Sequence, residues 1–186
     1  MDTETIILKP IAFEGILRSV YETVRKSESF GYLFGEIYEK RNKHINWIVE
    51  SAIPVQIVKR VPQSIYCDDE TEKRCKMPVI TENIGDFHSH IPYRILQNDG
   101  LRTEMPGEYR ISETDEKELS PDKISLIVGL KKVKKMGLLV DDPFLISGYL
   151  RDNKILYRID MGGYYFNKRK RRAILKTPKK ALKMIR

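Results

Sequence analysis

The sequence predicts an α/β fold of the α+β kind, a curved mixed β-sheet flanked by helices. Three observations point to it. At 186 residues, 41% of them hydrophobic and 32% charged, the chain can bury the core of one ordinary domain and lies far from disordered or collagenous compositions. Only two main helices are read, one from apolar residues at helical spacing and one from a capped, acidic start. The remaining apolar and β-branched runs are short, about seven in number, and do not alternate regularly with helices, which argues against a doubly wound parallel sheet.

The elements follow in order. Ile11, Phe13, Ile16, Leu17, Val20, Tyr21 and Val24 after Pro10 mark a helix over 10–26, with the proline suited to its first turn. Runs at 31–38 and 45–51, joined by the charged segment 39–43, read as a pair of strands. From Ile57 to Val79 the pattern dissolves into charge, with one short strand expected at 64–66. A strand is expected at 84–90 and a helix at 112–119, entered through Ser112 as N-cap with acidic residues in its first turn. Strands at 124–130, 144–150 and 154–159 follow, the last two a hairpin turning at 151–153, and 164–167 adds an edge. No internal repeat is present.

The formal charge of +8 has the look of a nucleic-acid binder until its location is considered. Ten of the 34 Lys and Arg residues fall between Lys168 and Arg186, where there is no acidic residue. Residues 1–167 therefore carry 24 basic against 26 acidic side chains. The expected organisation is a nearly neutral domain over 1–167 and a basic C-terminal tail over 168–186. No run reaches the roughly 20 apolar residues of a membrane span, and the N-terminus lacks a signal-peptide pattern, so a cytoplasmic protein is expected. Cys67 and Cys75 then read as free thiols.

Chemistry concentrates around the histidines. Of His44, His88 and His90, two share one tripeptide, His88-Ser89-His90. On a strand, residues i and i+2 point to one face, so two imidazoles so placed can chelate one metal ion. Alone the pattern is weak; two exposed polar residues at a strand end would look the same. Downstream, Ser112 and Asp115 at i, i+3 lie on one helix face, readable either as a capped helix start or as donors aimed at a shared centre. Upstream, Glu28 stands before Gly31-x-Leu33-x-Gly35, as a solvent-facing residue at a helix end or as a carboxylate at the mouth of an apolar strand.

Taken together and in this order, the pieces resemble the JAMM (MPN+) zinc metalloprotease family, whose pattern is a Glu before a Gly-x-Leu-x-Gly-like strand, then His-x-His-Pro, then Ser-x-x-Asp. The resemblance implies a cytidine-deaminase-like three-layer domain in which His88, His90 and Asp115 bind one Zn²⁺, Glu28 acts as general base and Ser112 hydrogen-bonds the oxyanion. It further implies hydrolysis of the amide bond after the C-terminus of a ubiquitin-like protein, as isopeptidase or precursor-processing peptidase, with stand-alone bacterial members, including those of antiphage defence operons, the most similar in size. The sequence departs from the pattern twice: Ile91 precedes Pro92, and 21 residues separate His90 from Ser112 where the family has a short spacer. This insertion, with Pro92, Gly100, Pro106 and Gly107, reads as an irregular loop beside the site, and its Asp99, Glu104 and Glu108 rival Asp115 as third ligand. Two other functions compete: a non-catalytic scaffold of the same fold, and a nucleic-acid binder acting through the basic tail.

Overall fold

The computed structural model describes residues 4–24, 27–39, 44–55, 59–61, 64–66, 81–96, 102–139, 141–167 and 169–185. Cys67, Cys75 and Asp99 lie outside these residues.

The architecture is mixed α/β, dominated by one nine-stranded sheet and with few helices among the described residues. Its strands are β1 (Thr5–Leu8), β2 (Phe30–Glu39), β3 (Ile45–Pro54), β6 (Glu82–His90), β9 (Ile124–Val133), β10 (Leu145–Asp152), β11 (Ile155–Asn167), β12 (Arg169–Arg172) and β13 (Ile174–Lys176). The order across the sheet is β10-β11-β9-β6-β2-β3-β1-β13, with β12 paired to β11. Two small hairpins stand apart, β4 (Lys59–Val61) with β5 (Ser64–Tyr66) and β7 (Tyr93–Leu96) with β8 (Arg102–Met105). The sheet is mixed: β1 runs parallel to β3 and to β13, β6 runs parallel to β9, and the other pairs are antiparallel. Parallel pairing of β6 with β9 requires a long connection, and this one carries the segment 91–123.

Helix α1 (Pro10–Thr23) covers one face of the sheet. Its buried stripe of Ala12, Phe13, Ile16, Leu17 and Val20 packs into the same core as Leu33, Val49, Phe87, Leu126 and Val128, whereas Ile11 and Tyr21, read into the same apolar pattern, are exposed. The other face carries two small apolar clusters: Phe30, Tyr32, Phe34, Ile53 and Val55 on the β2–β3 side, and Ile111, Leu119, Ile127 and Tyr164 on the β9–β11 side. Between these clusters emerges β6, a central strand with neighbours on both edges.

The basic C-terminal segment, expected as a tail outside the domain, is built into the fold. β12 turns back on β11, β13 adds a parallel strand beside β1, and the helical turn α3 (Lys179–Leu182) follows. Ala173, Leu175, Ala181 and Ile185 are buried in the main core. The apolar residues interspersed among the cations are thus a core face, while Lys176, Lys179 and Lys180 stay in solvent. Arg172 pairs with Asp142 at 3.5 Å, donates to the Phe144 carbonyl at 3.1 Å and stacks over the Tyr109 and Phe144 rings. The insertion 91–111 is also more regular than a loop, because 93–96 and 102–105 close an antiparallel hairpin. No helix among the described residues is long and apolar enough to cross a membrane.

Candidate metal centre

β6 sets the first two side chains. Its inward residues Phe87 and Ser89 alternate with Asp86, His88 and His90, which face away from α1. In the neighbouring strands His88 stands beside Phe30 of β2 and Ile127 of β9. Continuing the β2–β6 register past Phe30 sets Ser29 against Ser89 and Glu28 against His90, which by alternation gives Glu28 the histidines' face. The Ser89 N–H donates to the Ser29 carbonyl at 3.0 Å, extending the ladder to that point.

The third side chain comes from a short helix, α2 (Glu113–Glu118), which starts in a capping box. The Asp115 N–H donates to Ser112 Oγ at 3.1 Å, and the Ser112 N–H donates to Asp115 Oδ2 at 2.9 Å. Ser112 and Asp115 thus form a capped helix start, and the same cap holds the Asp115 carboxylate near the two histidines. Leu119 at the end of α2 packs with Ile127 and Tyr164, which anchors the helix to this face of the sheet.

The result is a convergent donor set. His88 Nε2 lies 3.4 Å from Asp115 Oδ1, and His90 Nε2 lies 3.7 Å from Asp115 Oδ2. One ligand atom from each of His88, His90 and Asp115 falls within 4.8 Å of the others. Donors on a tetrahedral zinc ion, at bond lengths near 2.0–2.1 Å, lie about 3.3–3.4 Å from one another. The set is thus close to ligating dimensions. His88 Nε2 is buried and, apart from the Asp115 carboxylate at 3.4 Å, has no polar partner among the described residues.

The surrounding groups fix the ring states. His90 Nδ1 lies 2.6 Å from the Glu108 carbonyl oxygen. A carbonyl only accepts, so Nδ1 carries the proton and donates it, leaving Nε2 free for a metal. On the far side of His88, Nδ1 is 4.0 Å from Asp86 Oδ1, which in turn accepts from Ser125 Oγ at 2.7 Å. Gly107 and Gly129 make the Glu108 contact feasible: a Cβ on Gly107 would strike the His90 backbone, and one on Gly129 would strike the backbone of 107–109. The segment is held by the Gly107 N–H donating to Leu130 O at 2.8 Å and by the Tyr164 hydroxyl donating to Tyr109 O at 3.0 Å.

The electrostatics are those of a half-buried cluster. Burial, opposed by the His88 charge and helped by that of Asp115, raises the Glu28 carboxyl from 4.5 to about 7. For His88, burial favours the neutral ring, but Asp115, Asp86 and Glu28 together outweigh it and its pKa is raised. His90 is lowered by burial and by the neighbouring His88. Asp115 is opposed by burial yet held well below the usual carboxylate range by His88 and by its hydrogen bonds to Ser112.

Of the residues read from the sequence, His88, His90 and Asp115 come together, Ser112 touches Asp115, and Glu28 lies close enough to feel His88 and Asp115. Among the rival ligands, Glu104 is engaged with Lys132 of β9 at 2.8 Å, and Glu108 contributes its carbonyl rather than its carboxylate. Asp86 was missed, although it shares the i, i+2 spacing of the two histidines; the Glu108 carbonyl left no signal, because a backbone atom has no residue signature. Two imidazoles and a carboxylate suit zinc and also other divalent first-row ions. In comparisons with known proteins, no family model and no curated protein matches the chain, so the case for a metal centre stands on this geometry.

Proposed function

We propose that the chain is a zinc-dependent metalloprotease of the JAMM (MPN+) type, which hydrolyses the amide bond after the C-terminus of a ubiquitin-like protein. The observation that carries this reading is the convergence of both histidine Nε2 atoms on the Asp115 carboxylate, with Glu28 on the same face of the sheet. His88, His90 and Asp115 are the ligands; three protein donors leave the open position that distinguishes a catalytic from a structural zinc site. Zinc, when bound, supplies Lewis acidity that polarises a carbonyl and brings the pKa of water at the open position to about 7.

The rest belongs to the chain's own residues. Glu28, on the histidines' face, takes a proton from the attacking water and returns it to the leaving amine. Ser112 Oγ accepts from the Asp115 N–H, which leaves the hydroxyl proton free to be donated to an oxyanion. Asp115 keeps its charge at neutral pH, and the Glu108 carbonyl holds the His90 ring in the ligating tautomer. The two apolar clusters on either side of the site lower the local dielectric in which these groups act.

The test is cleavage of a ubiquitin-like protein carrying a C-terminal amide-linked reporter. Wild-type chain with zinc is expected to release the reporter, chelation to stop it, and Glu28→Gln to bind zinc without cleaving. Cleavage by Glu28→Gln at the wild-type rate would overturn the assigned base. The substrate itself is identified by recovering conjugates held by Glu28→Gln from the native cell.

A further inference from the structure

Beyond Leu130 β9 leaves the core, and where it runs beside the turn of the β10–β11 hairpin it borders a groove of about 620 Å³. The groove contains four cations, Lys134, Lys135, Arg151 and Lys154, and no carboxylate. None of the four has an ion-pair partner among the described residues, although Lys132, Arg158 and Arg172 do. The acidic residue nearest in sequence, Asp152, is buried and turned away from solvent. Four like charges on one surface set up a positive potential that favours a matching anion.

The groove is not only charged. Val133, Ile155 and Leu156 give it an apolar side, and Met136 lines its rim. Met136 is 55% exposed, and Leu138 just beyond it is 95% exposed. The turn that presents them is fixed rather than loose: the Gly137 N–H donates to the Tyr149 hydroxyl at 2.7 Å, and that hydroxyl donates to the Gly137 carbonyl at 3.0 Å. No aromatic side chain lines the groove, so it has no platform on which nucleobases would stack. Cations around exposed aliphatic side chains instead match a peptide in which acidic and apolar residues alternate.

We propose that this groove docks an acidic segment of a partner protein, its carboxylates on Lys134, Lys135, Arg151 and Lys154 and its apolar residues on Met136, Leu138 and Ile155. The groove shares no residue with the metal centre, so its test stands apart from the proposed hydrolysis.

The probe is a fluorescently labelled peptide of repeating Glu-Leu-Glu units, titrated with the full chain and followed by anisotropy at low and physiological salt. Wild type is expected to bind, and added salt to weaken binding. Lys134→Glu/Lys135→Glu and Arg151→Glu/Lys154→Glu are each expected to cost about tenfold or more in affinity with unchanged melting temperature, since like charges then face each other. Lys179→Glu/Lys180→Glu on α3, equal in charge change but outside the groove, is expected to leave affinity within about twofold. The proposal is overturned if the peptide fails to bind wild type, if the α3 variant loses as much as the groove variants, or if a single-stranded oligonucleotide of equal charge binds the same four residues more tightly.

Discussion

The Ser29 and Ser89 hydroxyls lie 3.0 Å apart in complete burial, and Ser89 Oγ also accepts the Ser29 N–H at 2.8 Å. These two residues are the chain neighbours of Glu28 and of both histidines. Their link ties the start of β2 to the end of β6 on the face opposite the metal centre, and so fixes how far the glutamate stands from the imidazoles. Ser89→Ala would leave a buried N–H and hydroxyl of Ser29 without their partner, at a cost of about 1–3 kcal/mol. Chemical denaturation should show that loss. With metal content unchanged, cleavage should fall because Glu28 is no longer held, and a Ser89→Ala chain of wild-type stability and turnover would contradict the role.

Glu28 also gives the metal-free protein a pH signature. Its carboxyl titrates near 4.5 when exposed and near 7 in the fold. Below pH 4.5 it is protonated in both states and costs nothing. Between 4.5 and about 7 the unfolded chain releases the proton while the folded chain keeps it, so stability declines across that window and is level above it. Glu28→Gln lacks this decline. Metal-free melting curves should therefore coincide near pH 4 and separate toward pH 8, with the glutamine variant the more stable; parallel curves across the range would exclude a raised Glu28.

The insertion between His90 and Ser112 acts on the centre through its backbone. Gly107→Ala places a methyl group against the His90 main chain and displaces the Glu108 carbonyl from the imidazole. Loss of such an outer partner typically lowers metal affinity about 10- to 100-fold. Competition against a chromogenic chelator should show that drop in Gly107→Ala, whereas Thr103→Ala in β8, within the hairpin but away from His90, should bind as wild type.

The C-terminal segment bears on stability. Leu175 is buried between β1 and the β10–β11 side of the sheet, and Leu175→Ala is expected to cost about 2–5 kcal/mol. Lys176→Ala, next to it but exposed, should stay within about 0.5 kcal/mol. Equal and negligible effects from both would mean that this segment is not part of the core. Removing 168–186 takes Ala173, Leu175, Ala181 and Ile185 with it and is expected to unfold the chain.

The long elements were legible because their periodicity is strong: α1, the β2–β3 pair, β6, β9 and β10 sit where apolar spacing puts them, with ends shifted by a few residues, whereas the strands expected at 154–159 and at the edge 164–167 are one continuous strand, β11, lying between β10 and β9. β1 was missed because four residues are too short to show a period, and it becomes a strand only through its parallel neighbours β3 and β13. β12 and β13 were hidden by charge: five consecutive basic residues over 168–172 show no apolar period, although they lead into the buried Ala173. At the centre, His88, His90 and Asp115 could be read because their side chains carry the chemistry. The Glu108 carbonyl and the Ser29–Ser89 link arise from how β6 meets its neighbours, which no local spacing encodes.

The most direct measurement is the metal content of the purified chain, by inductively coupled plasma mass spectrometry after incubation with zinc and gel filtration. The wild type and Glu28→Gln are expected to carry about one zinc per chain, and His88→Ala and Asp115→Ala essentially none. A wild-type chain that emerges without zinc, or one whose zinc survives both His88→Ala and Asp115→Ala, would contradict the metal centre on which the proposed function rests.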